Sequence, residues 1–145
     1  MKTKLTIILF LTSLTITFAQ TKVSYIQTEK FAKAGLPFSQ AVQVDNIIYI
    51  SGQIGSTEMG LVTGGIVPET KQIMEKIKAI LEQNGSSMDK IIKCTCMLAD
   101  INELSAMNTE YIKYFPNHKP ARSAFATSGL VQGARVEIEC IAYVK

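Results

Sequence analysis

The chain has 145 residues, 47% hydrophobic and 19% charged, enough to bury the core of one domain. Fifteen Lys and Arg face twelve Asp and Glu, a net charge of +3 that includes Lys2 and Lys4 at the extreme N-terminus. Without those two lysines the balance is 13 to 12, too weak a basic bias to point to nucleic acid.

Residues 5–18 follow that basic start as an uncharged run of Leu, Ile, Phe, Thr and Ser, and Thr17-Phe18-Ala19 closes it with small residues at −3 and −1. This pattern predicts a secretory signal over 1–19 and a mature domain over 20–145 that begins at Gln20, exported to the periplasm or secreted. The run has fourteen positions, with four Thr and one Ser among them. A spanning helix needs roughly 20 apolar residues, so no membrane span is expected after cleavage. No Cys follows the run to take a lipid.

Residues 23–28 are β-prone. Residues 39–44 and 46–51 read as two strands around a tight turn at Val44-Asp45-Asn46, where the Asp-Asn pair suits positive φ. Ile47, Ile48, Tyr49 and Ile50 form a continuous, mostly apolar run, as in a strand covered on both faces. Residues 55–65, with four glycines, read as a loop. Residues 66–84 are the clearest helix, with Ile66, Ile73, Ile77, Ile80 and Leu81 at helical spacing and Gly85 as a C′ residue. Lys71, Lys76 and Lys78 read as its solvated face. Residues 91–98 form a strand. Asp100 and Glu103 resemble a capping box opening a second helix, which Pro116 stops after Phe115. Leu104, Met107, Tyr111 and Tyr114 give that helix its apolar stripe. Two final strands, 123–127 and 135–144, flank a turn containing Gly129 and Gly133.

The order β-β-β-α-β-α-β-β predicts an α+β domain, one mostly antiparallel sheet with both helices on a single face. The second sheet face, with positions such as Ile48 and Ile50, then needs cover, and oligomerisation is the economical way to supply it. Cys94, Cys96 and Cys140 sit in apolar surroundings. Export makes a disulfide conceivable, but the odd count and the lone Cys-x-Cys favour buried thiols acting as small hydrophobes over a disulfide or a metal site. His118 is the single histidine and lies in a Pro-flanked loop, which reads as exposed.

The residues that could carry chemistry fall in the last two strands. If these form a hairpin turning near Leu130 and Val131, Ala124 faces Glu137, and Arg122 is its diagonal neighbour on the same sheet face. Arg122 offers a fork for a small carboxylate, and Glu137 could orient or deprotonate a water. Glu139 could replace Glu137. A purely structural Arg–Glu pair fits the same spacing.

Four segments resemble the Rid (YjgF) family. Gly35-Leu36-Pro37-Phe38-Ser39-Gln40-Ala41-Val42 resembles its G-P-Y-S-Q-A-V opening, and Ile50-Ser51-Gly52-Gln53-Ile54 its v-S-G-Q-I segment. Pro120-Ala121-Arg122-Ser123 is similar to its P-A-R-S/T motif, and residues 136–142 to its terminal v-E-I-E-x-I-A strand. The similarity runs from about Thr28 to Val144. It implies the YjgF, chorismate-mutase-like fold and a homotrimer whose three sheets form a central barrel, with clefts between subunits. It further implies hydrolysis of 2-aminoacrylate and related enamines or imines to 2-keto acids and ammonia, with no metal and no cofactor. Carried over by motif, Arg122 and Glu137 are the expected catalytic residues, Arg122 for the substrate carboxylate and Glu137 for the water. Phe38, Ser51, Gly52, Asn108 and Ala124 are the expected substrate-binding residues, Ala124 through its backbone carbonyl. The chain departs from the family where the cleft Tyr is Phe38, where a common Cys is Ala124, and where a Pro in the last turn is Val131. A different class of function is a non-catalytic trimeric cleft binding small carboxylates or a protein partner. The ribonuclease or translation-inhibitor activity ascribed to some relatives suits neither the near-neutral mature charge nor export.

Overall fold

The computed structural model describes residues 20–144; the expected signal over 1–19 lies outside them. In chain order the described elements are strand β1 (Val23–Ile26), a short helix α1 (Glu29–Lys33), β2 (Ala41–Val44) and β3 (Ile47–Ile54), then a small hairpin of β4 (Ser56–Thr57) and β5 (Gly60–Leu61). Helix α2 (Ile66–Gln83), β6 (Ile91–Leu98), helix α3 (Leu104–Tyr111), β7 (Ala121–Ala126) and β8 (Val136–Tyr143) follow. Helix α1 was not legible as a helix, since five residues carry no periodic stripe; Thr28 caps it by accepting from the Phe31 N–H. The glycine-rich loop holds the β4–β5 hairpin.

The main sheet has six strands in the order β1-β2-β3-β8-β6-β7. Every neighbouring pair is antiparallel except β6 and β7, which run parallel and need the crossover that α3 supplies. The expected β7–β8 hairpin does not form. Strand β8 instead inserts between β3 and β6, so β6 separates the two strands that were read as partners. The turn between β2 and β3 is as expected, with Asp45 at φ 51°.

Strand alternation sorts the side chains. Along β8, Val136, Ile138, Cys140 and Ala142 are buried, while Glu137, Glu139, Ile141 and Tyr143 are less so. A two-residue period places these sets on opposite faces. The buried set meets Ile73, Met74, Ile77 and Leu81 of α2 and Met107 of α3 in one core. Each such aliphatic side chain contributes about 1.5–3 kcal/mol by leaving water, which holds both helices on this face. Ile48 and Ile50 are fully or nearly buried in this same core. They do not belong to the second face, because parity puts them beside Ala142 and Cys140. That second face carries Tyr49 and Tyr143, with Phe125 in register with Met97 and so with Glu137. Tyr49 is 47% exposed, so β3 is covered on one face within the chain.

Asp100 caps the second helical segment by accepting from the Asn102 N–H. Glu103 does not complete a capping box. Its carboxylate takes two 2.8 Å bonds from the Arg135 Nε instead, fastening the helix start to the entry of β8. Glu69, in the first turn of α2, is buried and accepts from the Arg135 backbone N–H at 2.9 Å. Orphan groups at both elements are thus satisfied by one another.

Candidate active site

The β3–β8 ladder slips between Ile50 and Gln53, which leaves Ser51 and Gly52 in a bulge. The bulge is tied down locally. The Ser51 hydroxyl donates to the Ser39 carbonyl at 2.7 Å, and the Gln53 amide donates to the Ser51 carbonyl at 2.9 Å. Glu137, opposite Ile54 on β8, lays its carboxylate against the glycine. A Cβ on Gly52 would overlap Glu137 Oε1 and lie only 2.8 Å from Cδ, so glycine is what leaves room for the carboxylate. Burial, and then the neighbouring Glu139 carboxylate, push the Glu137 carboxyl above its usual range.

Gly52 and Glu137 share a cleft of about 550 Å³ with Phe31, Phe38, Val131 and Lys76. Phe31 meets Phe38 edge to face, 5.5 Å between centroids, and forms an apolar wall. Lys76 is half-buried here and not part of a solvated face; Lys71 and Lys78 are exposed as expected. Its Nζ donates to the Ile54 carbonyl at 3.1 Å and lies 3.4 Å from the Ser56 hydroxyl, and burial depresses its pKa. The signal for this was available. Lys76 stands three residues after Ile73 and one before Ile77, at the border of the buried stripe.

Arg122 occupies a different place. On β7 it donates to Asn108 Oδ1 of α3 at 2.6 Å, and its guanidinium sits 5.0 Å from the Tyr111 ring centroid. These residues, with Ser105, Thr109 and Lys119, line a second cleft of about 510 Å³. Arg122 is in register with Cys94, and Cys94 with Cys140, so it lies on the helix side of the sheet. Glu137 is in register with Met97 and Phe125, on the other side. The expected same-face diagonal pair is therefore wrong on two counts: one strand intervenes, and the parities differ. Ala124, in register with Cys96, shares the Arg122 side. Within one chain the structure joins Phe38, Ser51, Gly52 and Glu137 in one group and Asn108, Arg122 and Ala124 in another.

The remaining candidates are structural. Cys94, Cys96 and Cys140 are buried free thiols, with 2.8 Å between the sulfurs of Cys94 and Cys140. Burial pushes the Cys96 thiol up to about 12, where it is inert. His118 is exposed. Among the described residues no group of three or more His, Cys, Asp and Glu side chains converges as metal ligands would. No described helix is long and apolar enough to cross a membrane.

Comparison with known proteins matches this arrangement to one family. The family described as endoribonuclease L-PSP matches residues 28–144. The 2-iminobutanoate/2-iminopropanoate deaminase of Capra hircus is 47% identical over 119 residues, 81% of this chain and 87% of that one. Reactive Intermediate Deaminase A of the Arabidopsis thaliana chloroplast is 36% identical over 132 residues, 90% of this chain and 71% of the relative. A crystal structure of a Rid family protein from Yersinia pestis superposes with a TM-score of 0.78 at 41% identity, covering 85% of this chain and all of the other. With β8 inserted mid-sheet, a glycine yielding to a carboxylate and an arginine held by α3, the chain belongs to the Rid (YjgF) family.

Proposed function

We propose that this protein is an enamine/imine deaminase that hydrolyses small 2-imino acids, such as 2-iminobutanoate and 2-iminopropanoate, to 2-oxo acids and ammonia. The observation that carries this reading is the Glu137 carboxylate, half-buried against Gly52 with its pKa raised. Such a carboxylate is a better base than an ordinary one, because its conjugate acid is weaker. Glu137 takes a proton from a water whose oxygen adds to C2 of the imine. The resulting carbinolamine then expels ammonia and becomes the keto acid. Water supplies the oxygen, and the imine nitrogen leaves with the protons, so atoms balance without further reagents. The Arg122 fork holds the substrate carboxylate, and the Ala124 carbonyl accepts from the substrate nitrogen.

In this reading the working unit is a homotrimer. Arg122 and Glu137 face opposite sides of one sheet, so one chain alone does not present both to a single substrate. The Asn108–Arg122 edge of one subunit meets the Phe38–Gly52–Glu137 cleft of the next. Support comes from the second sheet face, where Tyr49 and Phe125 are nearly half exposed, more apolar surface than one subunit leaves to water at no cost. A nuclease role, which the family's description names, finds no support in a mature charge excess of one. The basic start and uncharged run of residues 1–19 support export of the mature chain.

The test is stopped-flow decay of imines generated in situ from amino acids by an oxidase, with and without the protein. Accelerated conversion of 2-iminobutanoate and 2-iminopropanoate is expected. If neither these nor 2-aminoacrylate disappear faster, the deaminase reading fails and the cleft is a carboxylate-binding site only.

A further inference from the structure

Lys76 and Glu137 are the two ionisable side chains that line the Gly52 cleft, and the deamination above uses only Glu137. The Lys76 stem runs along the edge of the buried α2 stripe, next to Ile73 and Ile77, and delivers the ammonium to the cleft wall. Its two acceptors, the Ile54 carbonyl and the Ser56 hydroxyl, are both neutral. Among the described residues no carboxylate forms an ion pair with it. An ammonium has three N–H donors, so one remains for a ligand. Glu137 is not its counter-ion. The two side chains line the same cleft without coming within ion-pair distance of each other. The cleft therefore holds a partly dehydrated ammonium that no carboxylate of the described residues contacts directly, a state that costs free energy until an anion arrives.

We propose that Lys76 binds the distal carboxylate of a dicarboxylic substrate, making four- and five-carbon 2-imino diacids the preferred class. The inference rests on the deaminase reading and names its substrate class. Arg122 of a neighbouring subunit takes the carboxylate next to the imine carbon, Glu137 serves that carbon, and the side-chain carboxylate reaches Lys76. The Phe31–Phe38 wall flanks the methylenes between them. A cleft of about 550 Å³ admits a five-carbon diacid. A monoacid such as 2-iminobutanoate fits the same space but leaves the ammonium without its anion, which is how the site discriminates.

The experiment compares the intact protein with Lys76→Met and Lys76→Arg in two measurements. Calorimetric binding uses the stable keto acids 2-oxoglutarate and 2-oxobutanoate; kinetics use the corresponding imines. The preference for the diacid, read as a ratio of affinities, should fall roughly ten-fold or more in Lys76→Met and largely persist in Lys76→Arg. In kinetics the loss should appear in KM for the imino diacid rather than in kcat. Thermal melts of the three proteins establish that each is folded. Equal affinity of the unmutated protein for both keto acids, or an unchanged ratio in Lys76→Met, overturns the proposal and leaves Lys76 a structural clip between Ile54 and Ser56. A diacid preference that depends on Lys76 in a protein that hydrolyses no imine would refute the deaminase reading, and with it catalytic use of this specificity.

Discussion

Glu137→Gln separates chemistry from stability, because the two are expected to move in opposite directions. Gln keeps the shape of the side chain against Gly52 and removes the base, so kcat for imine hydrolysis should fall by roughly 10²–10⁴-fold. The effect on stability follows from the pKa. Burial and the Glu139 carboxylate raise the folded-state value, so the folded protein holds this proton more tightly than the unfolded chain does. Stability is therefore lost as pH rises from the ordinary glutamate pKa through the raised one, and the loss is complete above it. Gln carries no charge at any of these pH values. The variant should melt at or above the unmutated protein at neutral pH, and the gap should close as pH falls below the ordinary glutamate range. Half-exposure to solvent keeps the gap small. Paired thermal melts from pH 4 to 8, alongside stopped-flow rates, read both effects. An unmutated protein that instead gains stability relative to the variant over that window would mean a cation, such as Arg122 from the next subunit, pairs with the carboxylate. That outcome, or retained activity in the variant, refutes Glu137 as an unpaired base.

Further outcomes follow from the same geometry. Gly52→Ala places a methyl on top of Glu137 Oε1 and 2.8 Å from Cδ, so the carboxylate must swing away and hydrolysis should drop at least ten-fold in stopped flow while the melt changes little. Arg122→Lys keeps the charge but loses the fork that Asn108 and Tyr111 orient, so kcat/KM should fall roughly ten- to a hundred-fold in the same assay. Light scattering of the mature protein at micromolar concentration should give three times the subunit mass, and a clean monomer would contradict the shared cleft. Intact-mass measurement of the extracytoplasmic fraction should find a chain starting at Gln20, against full-length protein retained in the cytoplasm.

Local order was legible in the amino-acid sequence by itself. Helix α2 spans Ile66–Gln83 against an expected 66–84, because an apolar residue every third or fourth position leaves one periodicity to choose. The Asp45 turn and the buried cysteines followed from the preferences of single residues, whereas α3 ends at Tyr111, short of the expected stop at Pro116. As candidates, Phe38, Ser51, Gly52, Arg122 and Glu137 were also legible from the four short segments that carried the resemblance, with Asn108 and Ala124 outside them. Their arrangement was not. Chain order made Ala121–Ala126 and Val136–Tyr143 neighbours, and neighbours usually pair. Whether β8 folds back on β7 or slides between β3 and β6 depends on burying Val136, Ile138 and Cys140 under two helices at once, a contact between segments far apart in the chain. The same placement set the parity that sends Arg122 and Glu137 to opposite faces. Lys76 shows the other limit. At the border of a helical stripe, periodicity permits either water or wall, and the Ile54 carbonyl and Ser56 hydroxyl within reach of Lys76 decided for the wall.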